Sequence, residues 1–242
     1  MKTSTLPLNP SATKPLFANF LPPNVLTFVS DRACDFTLLP DQVKLNPTQE
    51  QFLSQKLGII PALVNIRQVH DNRSVVLKKF TEKVEEADGI ITNLINQPIA
   101  VRTADCLPVF IYAAKENIIG VVHAGWKGTY KKITAQALKL MIENYQVDLK
   151  DIKIAFGPAI QSCCYEVGNE FKEFFPQGII QRNKTQYLDV AAVNKSQILE
   201  LGVLEKNIFD CAVCTFCDTK YFSFRREKDK AGRMISLMMM KG

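Results

Sequence analysis

Histidine is nearly missing from this chain: His70 and His123 are the only two in 242 residues, and tryptophan occurs once, as Trp126. Any imidazole chemistry therefore rests on two named side chains. Long apolar runs are missing as well. No stretch reaches the roughly 18 apolar residues of a membrane-spanning helix, so membrane insertion is not expected. The N-terminal "MKTSTLPLNPSATKPLFANFLPP" lacks the apolar core of about 7 to 15 residues that a secretory signal needs, and prolines interrupt it. Residues 1–23 are expected to form an extended arm, and the protein to be cytoplasmic. Repeats, low-complexity tracts and polar linkers are lacking too, which leaves residues 24–242 as one domain of a size that a single core can reach. Charge of one sign never accumulates. The 30 basic and 24 acidic residues are interleaved, as in "KKFTEKVEE", so no basic stripe for nucleic acid stands out, while the net charge of +6 suits an anionic ligand.

What is present is a strand-rich centre. "NVLTFVSDR" reads as a first strand and "PTQEQFLSQKLGI" as a short helix begun by Pro47. "ALVNIRQVH" is expected to be a strand ending at His70. "SVVLKKF", "GIITN", "PIAVRT", "PVFIYAA" and "NIIGVVHA" follow as short β-branched runs between turn residues. The period then changes: Ile133, Ala137, Leu140, Met141 and Tyr145 share one helical face. "DIKIAFGPAI" reads as a buried strand, "EVGNEFKEFF" as a short helix, "VAAVNKSQILELG" as a helix ended by Gly202, and "KYFSFRR" and "RMISLMMM" as closing strands. Strands and helices mix without strict alternation, which predicts α/β layers around a mixed sheet.

His70, Cys106 and His123 each fall at a predicted strand end, where a rigid sheet can present a side chain to a ligand. Two imidazoles and one thiolate make a catalytic zinc set with a fourth position left open. The same residues would also serve as a Cys-His nucleophilic dyad, or as ordinary buried side chains. Asp105, beside the thiol, could accept a proton, orient a ligating histidine or cap a strand end. In "HAGWKGTYKK", Gly125 and Gly128 permit close backbone approach at a helix start, with Lys127 beside them as a phosphate candidate. Trp126 could stack on a base or pack in the core. The chain has seven cysteines, an odd number that argues for reduced thiols. "CAVCTFC", with Cys211, Cys214 and Cys217, has metal-site spacing, but a fourth ligand would have to come from Cys163, Cys164 or farther away.

Taken in order, "RQVH", "EADGIITN", "RTADCLPVFIY", "GVVHAGWKGT", "AFGPAIQSCCYEVG", "CTFCDTKYFSFRRE" and "AGRMISL" resemble the signature blocks of the YfiH family, also called the laccase-domain or polyphenol-oxidase family and related to peptidoglycan editing factor. The resemblance implies a single αββα-type domain with a mixed sheet, similar to the cysteine-hydrolase core of necrotizing toxins. It implies zinc held by His70, Cys106 and His123, and purine nucleoside phosphorylase activity on adenosine, inosine, guanosine and methylthioadenosine, with adenosine deamination in the same site. On that reading Cys106 and His123 organise the reaction, Asp105 assists proton transfer, and Arg32, Lys127 and Arg225 hold phosphate. The partners would be nucleosides and phosphate, with the protein a monomer or homodimer. Arg32 is matched to the family's arginine, within "TFVSDRACDFTLLPDQVKLNP", which lacks the glycines that family members carry there. A peptidoglycan-precursor editing hydrolase is the alternative that the family's other name suggests. The older polyphenol-oxidase label meets a count: a multicopper centre resembles that of the laccases in needing about ten histidines, and a blue-copper centre alone takes two His and one Cys.

Overall fold

The structure is a computed structural model describing residues 16–17, 19–38, 44–58, 63–64, 66–80 and 85–242. The chain runs through β1 (Val25–Val29), α1 (Pro47–Leu57), β2 (Ser74–Leu77), β3 (Gly89–Thr92), β4 (Ile99–Thr103), β5 (Leu107–Ala113) and β6 (Ile118–Ala124). It continues with α2 (Trp126–Tyr130), α3 (Ile133–Tyr145), β7 (Ile152–Phe156), β8 (Glu166–Val167), α4 (Phe171–Phe174), β9 (Ile179–Arg182) and β10 (Thr185–Leu188). The last elements are α5 (Val190–Glu200), β11 (Ile208–Asp210), α6 (Phe224–Glu227) and β12 (Met234–Met240).

Six strands form a sheet in the order β11-β7-β5-β6-β3-β2, and β1-β12-β4 form a second sheet. The large sheet is mixed: β2 with β3 and β11 with β7 are parallel, while the central pairs are antiparallel. Alternation along β5 assigns its two faces. Leu107, Val109 and Ile111 join a core with Ile133, Leu138 and Met141 of α3 and Ile198 of α5. Phe110 and Tyr112 point the other way, into a core shared with Ile99 and Val101 of β4 and Met238 and Met240 of β12. The small sheet's outer face, with Ala100, Leu237 and Met239, is covered by Leu53 and Phe52 of α1. Helix, sheet, sheet and helix thus stack as the αββα order predicts. A third, small sheet, β8-β10-β9, flanks this sandwich.

Helix α1 begins where Pro47 predicts. Asn46 accepts from the Gln49 backbone N–H, Gln49 reciprocates to the Asn46 N–H, and Gly58 ends the helix at φ 68°. Of the arm expected at residues 1–23, residues 1–15 lie outside the described residues. Beyond them Phe17 is buried, its ring 5.1 Å from that of Phe110 and 5.7 Å from that of Phe209. Among the described residues no helix is long and apolar enough to cross a membrane.

Three local expectations need correction. Among its described residues, "ALVNIRQVH" forms isolated bridges in place of a strand, from Val64 to Ile99 and from Arg67 to Glu86. The Gln68 side chain replaces a strand partner there: its Oε1 accepts from the Arg102 N–H at 2.8 Å and its Nε2 donates to the Arg102 carbonyl at 2.8 Å. "KYFSFRR" is not a strand. Ser223 caps α6, and the Arg226 guanidinium donates to the carbonyls of Thr215, Phe216 and Tyr221, which bends the segment into a local knot. "EVGNEFKEFF" divides into strand β8 and the four-residue α4. The β9–β10 hairpin, turning through Asn183 at φ 52°, was not foreseen, although Asn in a left-handed turn is an ordinary hairpin signal.

Candidate metal centre and cavity

The β5–β6 hairpin sets Leu107 opposite Ala124, so Cys106 and Gly125 lie beside each other at its open end. A Cβ on Gly125 would sit 3.0 Å from Cys106 Sγ and 3.4 Å from His70 Cδ2, so this position needs a residue without a side chain. Its φ of −72° is ordinary, which makes close approach, and not backbone freedom, the reason for glycine. Gly128 is similar: a Cβ there would meet the Asp71 carbonyl oxygen at 3.0 Å. These close contacts bring the 70–72 loop onto α2.

His70, Cys106 and His123 offer ligand atoms that all lie within 4.8 Å of one another. The two imidazole rings meet edge to face, with centroids 4.7 Å apart. Behind them stands Asp88, a residue that sequence reasoning missed. Its buried carboxylate lies 2.8 Å from His123 Nδ1 and accepts backbone N–H bonds from Val69 (3.2 Å), His70 (3.0 Å) and Asp71 (2.8 Å). One carboxylate therefore fixes the His123 ring through Nδ1 and shapes the loop that carries His70, whose φ is 59°. With Nδ1 bonded to Asp88, Nε2 is the nitrogen left to face a ligand. The available signal was an acidic residue, in "EADGIITN", placed directly before a fully buried strand.

Burial opposes ionisation of Cys106, but the charges and hydrogen bonds of His123 and His70 outweigh it and bring the thiol down to about 6. Burial likewise opposes protonation of His123, while Cys106 and Asp88 together raise it to about 9. The donor set fits a thiophilic divalent cation: two nitrogens and one sulfur on a common point, a carboxylate orienting one imidazole, and no Cβ at Gly125 to block the approach.

This cluster lies on the wall of a cavity of about 940 Å³, also lined by Gln68, Arg102, Trp126, Tyr165, Phe224, Arg225 and Arg233. Arg102 is half-buried; burial first, and then the charge of Arg233, push it down to about 10. Its Nη2 donates to the Ile66 carbonyl at 2.9 Å. An arginine inside the apolar strand "IAVRT" was the sequence signal for it. Arg225 lines the cavity as well, its guanidinium lying 5.1 Å from the Tyr165 ring centroid. Arg32 and Lys127 are not among the lining residues. Arg32 pairs with Glu227 at 3.2 Å and covers the Phe222 ring, and Lys127 lies 5.6 Å from the Trp126 ring centroid. Trp126 both faces the cavity and packs on Phe171 at 5.0 Å.

Asp105 also lines the cavity, but its carboxylate is bonded to groups other than the histidines. Its carboxylate accepts from Thr215 Oγ1 (2.7 Å), Ser223 Oγ (3.1 Å) and the Arg225 N–H (2.6 Å). At φ 83° it also turns the chain between β4 and Cys106. The histidine-orienting carboxylate is Asp88.

Known proteins share this architecture. A purine nucleoside phosphorylase of Aquifex aeolicus is 34% identical over 206 residues, covering 80% of this chain and 97% of the relative. The purine nucleoside phosphorylase YlmD of Bacillus subtilis is 32% identical over 195 residues, covering 72% of this chain and 69% of the relative. The solved YlmD of Geobacillus stearothermophilus superposes with a TM-score of 0.80 at 24% identity over 94% of each chain. The YfiH protein of Bacillus licheniformis superposes at 0.79 with 23% identity, over 90% of this chain and 93% of that one. Residues 40–241 match the family described as multi-copper polyphenol oxidoreductase laccase, and with this fold and these relatives the chain belongs to that family, the YfiH family.

Proposed function

We propose that this chain is a zinc-dependent purine nucleoside phosphorylase that also deaminates adenosine. The observation that carries the reading is the convergence of His70, Cys106 and His123 on the wall of a cavity lined by Arg102, Arg225 and Arg233. The names of the relatives supply the substrate class. Zinc held by the three side chains would keep Cys106 as a thiolate and provide a Lewis acid toward a substrate oxygen.

The protein's own groups do the rest. Asp88 holds His123 with its Nδ1 bonded, so the ring cannot turn away. Arg102, Arg225 and Arg233 hold phosphate as a planar-donor clamp, and an anion there relieves the mutual repulsion of Arg102 and Arg233. Arg225 takes this role in place of Arg32 and Lys127, which lie outside the lining. Trp126, Tyr165 and Phe224 offer aromatic faces for the base. In phosphorolysis a phosphate oxygen attacks C1′ of the ribose while the glycosidic C–N bond breaks and its electron pair leaves with the base. Deamination adds water at C6 of adenosine and releases ammonia. Asp105, saturated by three donors, acts as a positioning residue for Arg225 and Cys106.

The polyphenol-oxidase description of the family does not suit this chain. Both of its histidines are engaged beside Cys106, and no further imidazole exists to build a multicopper cluster. A cytoplasmic location is supported by seven free cysteines.

Incubation of the zinc-loaded protein with inosine and phosphate tests the proposal. Hypoxanthine and ribose 1-phosphate are expected, and from adenosine without phosphate, inosine and ammonia. Absence of both free base and ribose 1-phosphate would falsify the phosphorylase reading. Metal analysis of His70→Ala tests the ligand set, and full zinc retention in that variant would break it.

A further inference from the structure

A second sulfur-rich cluster lies outside the cavity. Strands β7 and β11 are parallel neighbours, with Ile154 opposite Ile208, so the loops that follow them leave the sheet side by side. Backbone bonds stitch these loops together: Ala159 N–H to the Val213 carbonyl and Thr215 N–H to the Ala159 carbonyl, both 3.1 Å. The stitching carries "SCCY" against "CTFC". As a result the sulfurs of Cys163, Cys164, Cys214 and Cys217 all lie within 4.8 Å of one another, with Cys163 to Cys217 at 3.7 Å and Cys164 to Cys217 at 3.2 Å. Cys211, the first cysteine of "CAVCTFC", is not part of the group. Cys163 and Cys164 together take its place.

We infer that Cys163, Cys164, Cys214 and Cys217 form a tetrathiolate site for one thiophilic divalent cation, zinc, distinct from the His70, Cys106 and His123 centre. Tetrahedral coordination with metal–sulfur bonds of about 2.3 Å sets the sulfurs about 3.8 Å apart, close to the 3.7 Å between Cys163 and Cys217 and inside the 4.8 Å that bounds the group. A four-iron cluster holds its cysteine sulfurs farther apart than this group allows. A second observation points the same way. The nearly buried Cys214 Sγ accepts the backbone N–H of Gln161 at 3.5 Å, which ties the loop that carries Cys163 and Cys164 directly to a sulfur of the other loop. Four protein sulfurs leave no position for substrate, so the ion is structural.

Its place in the fold says what it holds. Tyr165, directly after Cys164, lines the cavity, and Thr215, directly after Cys214, bonds Asp105. Through Asp105 and Arg226 the same loop positions α6 and Arg225. The ion therefore clamps the Tyr165–Arg225 wall of the cavity and leaves the three ligands of the first centre untouched.

The test uses the full chain, purified anaerobically under reducing conditions and titrated with cobalt(II), whose thiolate complexes show an intense sulfur-to-metal charge-transfer band. Cys106→Ser removes the only sulfur of the first centre. This variant is expected to keep a tetrathiolate band at one cobalt per chain, and to lose it when Cys217→Ser is added. Cys163→Ser, a change at an exposed position, should weaken cobalt binding at least tenfold. A Cys106→Ser protein without a thiolate charge-transfer band overturns the inference. So does a Cys164–Cys217 disulfide found by mass spectrometry in the freshly purified wild type.

Discussion

At the scale of single residues, Asp88 organises the candidate metal centre from behind the three residues that would hold the ion. Its carboxylate spends its lone pairs on three backbone N–H groups and on His123. Asp88→Asn replaces one acceptor oxygen by a donor facing N–H groups, so zinc affinity is expected to fall about 10- to 100-fold, read by competition with a chromophoric chelator. Gly125→Ala tests the close approach by another route. The backbone accepts alanine at φ −72°, but the new methyl meets Cys106 Sγ, so zinc occupancy should drop while the circular dichroism spectrum stays unchanged. For phosphate, Arg102→Gln or Arg225→Gln should raise its KM by about 10- to 100-fold, the worth of one charged hydrogen bond, and Arg32→Ala should leave it within twofold. The sequence made the three candidate ligands legible, because a thiol and two imidazoles stood at the ends of apolar runs in a chain with no other histidine. Asp88 was not legible as part of the site, since its partner His123 is 35 positions away and depends on strand register.

At the scale of elements, local chemistry was read well wherever it acts within a few residues. Helix α1 is an example: Pro47 marked its start in the sequence, and the structure adds the Asn46–Gln49 cap and the Gly58 end within the same stretch. Asn46→Ala removes the reciprocal cap and is expected to cost about 1 kcal/mol, a fall in Tm of about 2–4 °C for a domain of this size. The loop before α1 adds a pH term. Burial raises the Asp35 carboxyl, but Thr37 and the Arg233 N–H outweigh it and hold it below its ordinary value. A carboxyl lowered by folding adds stability above its unfolded pKa, near 4, and loses it as the pH falls through the lower folded value. Asp35→Asn should therefore lower Tm at pH 7, where the ionised carboxylate contributes, and flatten the acid limb so that the two Tm profiles converge below about pH 4. The segments misread, "ALVNIRQVH" and "KYFSFRR", share a cause. Both have strand-like alternation, yet each is claimed by a distant side-chain bond: Gln68 on Arg102, 34 positions away, and the Arg225 N–H on Asp105, 120 positions away.

Across the whole molecule, the two sheets meet through Phe110, Tyr112, Ile99 and Met238, and Phe17 closes one end of that layer. Phe17→Ala opens a cavity against Phe110 and Phe209 and is expected to cost about 3–5 kcal/mol, measured by urea unfolding. A loss below about 1 kcal/mol would show that the end of the layer collapses without it. The sequence by itself determined β5 and β12 as strands, the Pro47 start of α1 and the identity of the candidate ligands, because propensity and period act over a few neighbouring residues. Tertiary structure alone decided that Asp88, and not Asp105, backs His123, that Arg102 and Arg233 face the cavity, and that Cys163 and Cys164 join Cys214 and Cys217 while Cys211 stands apart. Coordination and charge pairing depend on distances of a few ångströms through space, and strand register and loop stitching set those distances between residues far apart in the chain.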